Sequence, residues 1–93
     1  MTDENITQIC EIISKLNKSE EVKEFFSELF TESEIKDVVQ RWNILKMLGK
    51  NESQRNISKA LAVSLCKVTR GAKILKNDKS ITRKILFDES WRK

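Results

Sequence analysis

The chain has 93 residues, of which 39% are hydrophobic and 34% charged, with no Pro and only two Gly; this composition predicts one all-α domain and leaves little material for the tight turns of a barrel. The absence of His and Tyr and of a Gly-rich phosphate loop argues against an enzyme, and two distant cysteines, Cys10 and Cys66, predict reduced thiols and no metal site. A polar, acidic start without a basic or long apolar run predicts a cytoplasmic protein with no signal peptide and no membrane span.

The first half of the chain predicts three amphipathic helices. Apolar residues recur at helical spacing in two runs, which are Ile6, Ile9, Cys10, Ile13 and Leu16, then Val22, Phe25, Phe26 and Leu29. A third and longest helix is predicted to start at a capping box formed by Thr31 and Glu34. Its apolar residues are Ile35, Val38, Val39, Trp42, Ile44, Leu45, Met47 and Leu48. Because they cover most of its circumference, we expect this helix to be the core and the axis of a dimer.

The next segment predicts two short helices joined by a compact turn. Gly49 is predicted to end the third helix in a left-handed conformation, and Ser53 and Ser64 to cap the fourth and fifth helices. The apolar positions have helix-turn-helix spacing and are Ile57, Leu61, Val63, Leu65, Val68 and Leu75. Ala62 occupies a turn position that can need positive φ, which costs an L-residue about 1 kcal/mol.

Charge is segregated along the chain. Residues 1–52 hold seven cations against eleven acids, a sum of −4, whereas residues 54–76 hold six cations and no acid. The outer face of the predicted fifth helix carries Cys66, Thr69, Arg70 and Lys73. A segment with this many cations and no acid predicts a polyphosphate partner, and double-stranded DNA is the first candidate. Two alternatives are open at this point: ordinary helices with solvated lysines, and an RNA-binding or protein-binding domain, although the cationic face lacks the aromatics that single-strand stacking would use.

Three motifs carry a resemblance to a known family. They are Ser53-Gln54-Arg55, the stretch from Val68-Thr69-Arg70-Gly71 to Lys76, and Phe30-Thr31-Glu32-Ser33-Glu34 followed by Arg41. Over roughly residues 20–87 the chain resembles the bacterial tryptophan operon repressor family. The resemblance implies an all-α, six-helix, intertwined homodimer with one helix-turn-helix head per subunit.

The resemblance also implies how the single domain, residues 1–93, is organised. Residues 1–48 and 80–87 would build the shared dimer core, residues 53–76 the DNA-binding head, and residues 88–93 a tail. Two heads would enter successive major grooves of a palindromic operator. The implied function is a sequence-specific transcriptional repressor of tryptophan metabolism genes, with L-tryptophan as corepressor.

Residues that would contact DNA follow from the same comparison. They are Gln54, Arg55, Leu65, Cys66, Lys67, Thr69, Lys73 and Lys76. Lys67, Lys73 and Lys76 would neutralise phosphates, whereas Cys66 and Thr69 occupy positions that would touch base edges. A second hypothesis for Cys66 is a redox-sensing thiol beside Lys67 at the start of the helix, whose oxidation would change DNA affinity.

A second set of residues would bind L-tryptophan. It consists of Leu29, Phe30, Thr31, Arg41, Arg70, Gly71 and Ile74. The resemblance implies that the indole lies between Arg41 and Arg70, with Arg70 also pairing with the carboxylate, while the partner subunit's segment from Leu29 to Thr31 offers backbone carbonyls to the ammonium group. Gly71 would let the ring approach the backbone. The alternative for Gly71 is a glycine required by helix packing, and the alternative for Arg41 is a solvated arginine.

Two positions depart from the family pattern. Ile74 stands where the family has a serine, and Glu28 where an apolar residue is usual. These departures support an alternative function, a regulator of the same fold that does not respond to tryptophan or that answers to another effector.

Overall fold

The computed structural model describes residues 3–88 and contains six α-helices in that range. They are α1 (Glu4–Lys15), α2 (Ser19–Leu29), α3 (Glu32–Gly49), α4 (Gln54–Leu61), α5 (Leu65–Lys76) and α6 (Ile81–Phe87). This confirms the predicted all-α class and the six-helix layout for the described residues. The predicted tail, residues 88–93, lies outside them except for Asp88. Within the described range, no helix combines the length and the apolar character needed to cross a membrane.

The chain divides into two compact units between residues 36 and 37, within α3. In the first unit, Asp3 caps α1 by accepting a hydrogen bond from the Asn5 amide at 2.9 Å. Neither α1 nor α2 has a buried residue, and Ile6 keeps 51% of its side chain exposed. The apolar stripes predicted from sequence therefore exist on both helices but remain incompletely covered within the single chain.

The start of α3 has the predicted capping box. The Thr31 amide donates to Glu34 Oε1 at 2.9 Å, and the Glu34 amide donates to Thr31 Oγ1 at 3.2 Å. Two amides that no helical carbonyl can reach are thereby satisfied by side chains, which stabilises this end of the helix.

The core of the second unit lies where α3, α4 and α5 meet. It consists of Ile44, Ile57, Val63 and Val68, with Met47, Leu48 and Leu61 packed against it. Ile57 and Val68 are fully buried, and burial of such a side chain contributes about 1.5–3 kcal/mol. Trp42 and Leu45, which were also predicted on the apolar stripe of α3, are only half-buried.

The C-terminal end of α3 corrects one prediction. The helix ends at Gly49 as expected, but no glycine among the described residues has positive φ, and the left-handed residue is Asn51, with φ 65°. The Glu52 amide closes the turn by donating to the Met47 carbonyl at 3.1 Å. Asn tolerates the left-handed region better than most residues, so the glycine is not required for this turn.

Helices α4 and α5 are joined by a turn with the predicted caps. Ser53 Oγ accepts from the Asn56 amide at 3.2 Å, and Ser64 Oγ accepts from the Lys67 amide at 3.4 Å. Ala62 has φ 54° and ψ 48°, so it takes the left-handed conformation that the sequence suggested. Ser58 Oγ fastens the turn by donating to the Val63 carbonyl at 2.6 Å.

Replacing Ala62 by glycine is expected to stabilise the protein by about 0.5–1 kcal/mol. The left-handed conformation costs an L-residue about 1–2 kcal/mol, whereas glycine loses about 0.4–1 kcal/mol through the entropy of its unfolded state. Urea unfolding at fixed protein concentration measures the difference. Ala60→Gly, at an exposed position inside α4, is the control, and its free energy of unfolding should fall by about 1 kcal/mol. An equal fall in both variants would contradict the prediction for Ala62.

Helix α6 is fixed to the end of α5 by Arg83. Its Nη1 donates to the Leu75 carbonyl at 2.6 Å, and its guanidinium lies 5.0 Å from the centre of the Phe87 ring. Leu86 is the buried residue of α6, whereas Ile81 is 72% exposed. Ser80 caps the start of α6, because its Oγ accepts a hydrogen bond from the Arg83 amide. The assignment of residues 80–87 to a dimer core stays a prediction.

Candidate nucleic-acid interface and ligand cleft

Helix α5 presents opposite faces to the core and to solvent. Val68, Gly71 and Leu75 are buried on its inner side, as their helical spacing requires. The outer side forms a shallow open depression lined by Leu65, Cys66, Thr69, Arg70 and Lys73. The four residues predicted on the outer face are therefore exposed on a helix whose other face is anchored in the core. Leu65, which its spacing placed with the inward-facing apolar residues, is instead 46% exposed beside them.

All six cations of residues 54–76 are exposed. They are Arg55, Lys59, Lys67, Arg70, Lys73 and Lys76. None of them forms an ion pair with a carboxylate of residues 3–88. Their charge is thus available to a partner, and the repulsion between them would be relieved by phosphate groups.

A polar pair connects the start of α4 to the outer face of α5. Thr69 Oγ1 lies 3.0 Å from Gln54 Oε1 and 3.0 Å from the Leu65 carbonyl oxygen. A hydroxyl has one proton, so it donates to one of these oxygens at a time. Sequence reasoning placed both Gln54 and Thr69 among the DNA contacts but did not foresee that they touch each other.

Four of the predicted ligand residues line one cleft between α3 and α5. They are Arg41, Arg70, Gly71 and Ile74, accompanied by Ile44, Leu45 and Lys67. An adjoining opening of about 180 Å³ shares the three cations Arg41, Lys67 and Arg70 with this cleft and adds Asp37 and Gln40. The part of the cleft with the apolar floor encloses about 20 Å³ in the single chain, room for about one water molecule, so a larger ligand would lie mainly in the charged opening beside it or displace side chains of the floor.

Gly71 of α5 packs against α3. A Cβ atom added there would lie 3.1 Å from Leu48 Cδ1 and 3.2 Å from Ile44 Cγ2. These distances are shorter than ordinary van der Waals contacts, so a larger residue at this position would require Leu48 and Ile44 to shift by a few tenths of an ångström, which favours the interpretation of Gly71 as a packing glycine. Its contact with a ligand remains a prediction.

Lys67 lies at the cleft although it was predicted to contact DNA. Its Nζ donates to Gln40 Oε1 of α3 at 3.1 Å. A contact between Lys67 and a phosphate would require this hydrogen bond to break. The phosphate role of Lys67 therefore remains a prediction with a competing partner, unlike that of Lys73 or Lys76, for which no such bond occurs among the described residues.

The other predicted ligand segment belongs to the first unit. Leu29 ends α2, Phe30 follows it and Thr31 precedes α3; all three are exposed. The Thr31 carbonyl accepts the Ile35 amide at 3.0 Å and its hydroxyl belongs to the capping box. Participation of this segment in a site formed with a second subunit remains a prediction.

Sequence reasoning missed Asp37 and Gln40 as cleft residues. A signal was present, because Asp37 precedes Arg41 by four positions on α3, and residues four apart share a helix face. Arg70 follows Lys67 by three positions on α5, which places these two cations on one face as well. What the spacing could not give is the proximity of the two faces.

The chain is similar to a known protein family over most of its length. The sequence model of the family described as Trp repressor protein matches residues 4–89. A Trp operon repressor homolog from Xylella fastidiosa (strain 9a5c) is 32% identical over 71 residues, which cover 75% of this chain and 77% of the homolog. A second homolog of that name, from Chlamydia trachomatis serovar D, is 36% identical over 66 residues, 70% of each chain. No solved structure matches the chain.

Proposed function

Because the chain belongs to the Trp repressor protein family, we propose that it is a sequence-specific DNA-binding transcriptional repressor of tryptophan metabolism genes, acting in the cytoplasm as a homodimer with L-tryptophan as corepressor. The observation that carries the proposal is the exposed cationic face of α5 on a helix anchored from behind.

In this proposal, α4 and α5 form the helix-turn-helix, with α5 in the major groove. Thr69 and Cys66 would face base edges, while Arg55, Lys73 and Lys76 would contact phosphates. The Gln54 side chain, in contact with Thr69 Oγ1, would limit the conformations that Thr69 can adopt at a base. Helix caps at Ser53 and Ser64 fix the starts of both helices and so the orientation of the reading face.

The proposed dimer is supported by the incomplete burial of the first unit. Ile6, Ile12, Leu29 and Phe30 are exposed to between 38% and 51%, and exposed apolar surface of this kind is costly in a free monomer. A second copy of the chain would cover these residues. A twofold axis would then place two heads on one side of the molecule, which predicts an operator with matching palindromic half-sites.

The proposed corepressor site is the cleft between α3 and α5. The guanidinium groups of Arg41 and Arg70 can stack on an indole and form paired hydrogen bonds with a carboxylate, which a lysine cannot do. Binding there would bridge α3 to α5 and so fix the separation of the two heads.

A second candidate function is favoured by Ile74. This residue lines the cleft and offers an apolar side chain where the family has a serine. The chain could then be a regulator of the same fold that answers to another effector or to none. Calorimetric titration with L-tryptophan separates the two candidates, since heat of binding is expected only for the first.

The proposal is tested by fluorescence anisotropy with labelled operator duplexes, alongside light scattering for the mass in solution. We expect a dimer that binds a palindromic duplex more tightly than the matching single strand, and more tightly again with L-tryptophan. A monomer, or a protein that prefers single strands, would contradict the proposal. Loss of the tryptophan effect alone would leave DNA binding intact and favour the second candidate.

Replacing Lys73 by alanine is expected to weaken binding to all duplexes and to reduce the slope of log affinity against log salt by about 1, because one phosphate contact is lost. The measurement is anisotropy at several salt concentrations with specific and scrambled duplexes. Lys79→Ala, an exposed lysine in the link after α5, serves as the control and should leave the slope nearly unchanged. A loss confined to the operator sequence would show that Lys73 reads bases instead.

A further inference from the structure

We propose that Asp37 is a specificity residue of the cleft, which accepts the ammonium group of an α-amino acid with an apolar side chain. This inference rests on the proposed ligand-binding role of the cleft between α3 and α5. It assigns one contact of the ammonium group to a side chain of the same subunit, in addition to the partner's backbone carbonyls that the family resemblance implies.

The cleft presents both signs of charge in a small space. Asp37 and Gln40 from α3 share its rim with Arg41, Lys67 and Arg70. The floor beside this rim includes Ile44, Leu45 and Ile74. A free amino acid has the complementary groups, namely one carboxylate, one ammonium group and a side chain that here must be apolar. No other carboxylate lines this rim among the described residues.

The charged groups of the rim are mostly unpaired. Among residues 3–88, Asp37, Arg41 and Arg70 form neither an ion pair nor a side-chain hydrogen bond. Lys67 is held by the neutral Gln40 amide. An ammonium group next to Asp37 and a carboxylate next to the arginines would form charge-assisted hydrogen bonds, which are stronger than neutral ones. The free cleft therefore already contains the partners that a zwitterion needs.

Asp37 also changes the electrostatic potential of the rim. With three cations and no acid, the rim would repel an ammonium group and select a simple carboxylic acid. The carboxylate of Asp37 reduces that positive potential at one place and provides an acceptor there. We therefore expect Asp37 to control the preference of the cleft for an amino acid over the corresponding acid without an amino group.

The test compares two ligands that differ only in the amino group. L-tryptophan and indole-3-propionate are titrated calorimetrically, without DNA, into the full chain and into the Asp37→Asn variant. We expect Asp37→Asn to lower the affinity for L-tryptophan by about ten-fold, because one hydrogen bond to a charged group is lost. The affinity for indole-3-propionate should stay the same or rise. Asp78→Asn, an exposed aspartate after α5, is the matched control and should alter neither affinity.

The possible failures are distinct. If the unaltered chain binds L-tryptophan and Asp37→Asn binds it equally well, the inference is overturned while the proposed corepressor stands, and the ammonium contact must come from elsewhere. An equal loss of affinity for both ligands would also overturn the inference, because Asp37 would then act on the fold of the cleft and not on the ammonium group. If the unaltered chain binds neither ligand, the proposed tryptophan response fails together with the inference, whereas the anisotropy measurements still decide DNA binding.

Discussion

Replacing Arg70 by alanine is expected to abolish the response to L-tryptophan while leaving the protein folded. Arg70 is exposed and lines both parts of the cleft between α3 and α5, so its removal leaves no cavity in the core. A fork of two charge-assisted hydrogen bonds to the ligand carboxylate would be lost, at about 3 kcal/mol, or roughly 100-fold in affinity. Calorimetry without DNA measures the affinity, and circular dichroism checks the fold.

Arg70→Lys is the informative companion variant. Lysine keeps the charge but cannot form the paired hydrogen bonds or stack as a planar group, so an intermediate loss of affinity is expected. Titration without DNA is essential because Arg70 also lies on the outer face of α5, where its removal would weaken DNA binding directly. Undiminished L-tryptophan affinity in Arg70→Ala would end the assignment of the cleft as the corepressor site.

Replacing Ile57 by alanine is expected to destabilise the protein by about 2–5 kcal/mol, the range for truncating a buried isoleucine. Ile57 is fully buried and belongs to the cluster that joins α4 to α3 and α5. The loss should appear in urea unfolding at fixed protein concentration, since the stability of an oligomer depends on concentration. DNA affinity should fall as well, because the cluster sets the orientation of α5.

Two companion variants make this prediction sharp. Ile57→Val removes one methylene and should cost about 0.5–1.5 kcal/mol. Leu65→Ala truncates a side chain that is 46% exposed on the outer face of α5 and should change stability by about 0.5 kcal/mol or less. Similar losses for Ile57→Ala and Leu65→Ala would mean that α4 and α5 are not held by the buried cluster.

Features that depend on neighbouring residues could be predicted from the sequence. The capping box of Thr31 and Glu34, the serine caps of α4 and α5 and the left-handed Ala62 each involve groups within a few positions of one another. Local hydrogen bonding and backbone sterics decide such features, so the residue types suffice. The prediction for Gly49 was wrong because a left-handed residue two positions later, Asn51, turns the chain equally well.

The sequence by itself determined the all-α class, the six helices, the N-terminal caps of α3, α4 and α5, and the segregation of positive charge into residues 54–76. Only the tertiary structure decided that Gly71 packs tightly against Ile44 and Leu48 of α3, that Lys67 bonds to Gln40 and that Asp37 joins the rim of the cleft. Helical periodicity assigns residues to a face, but the distance between two faces results from how their side chains pack. Contacts between α3 and α5 therefore emerge only once both helices are packed on one core.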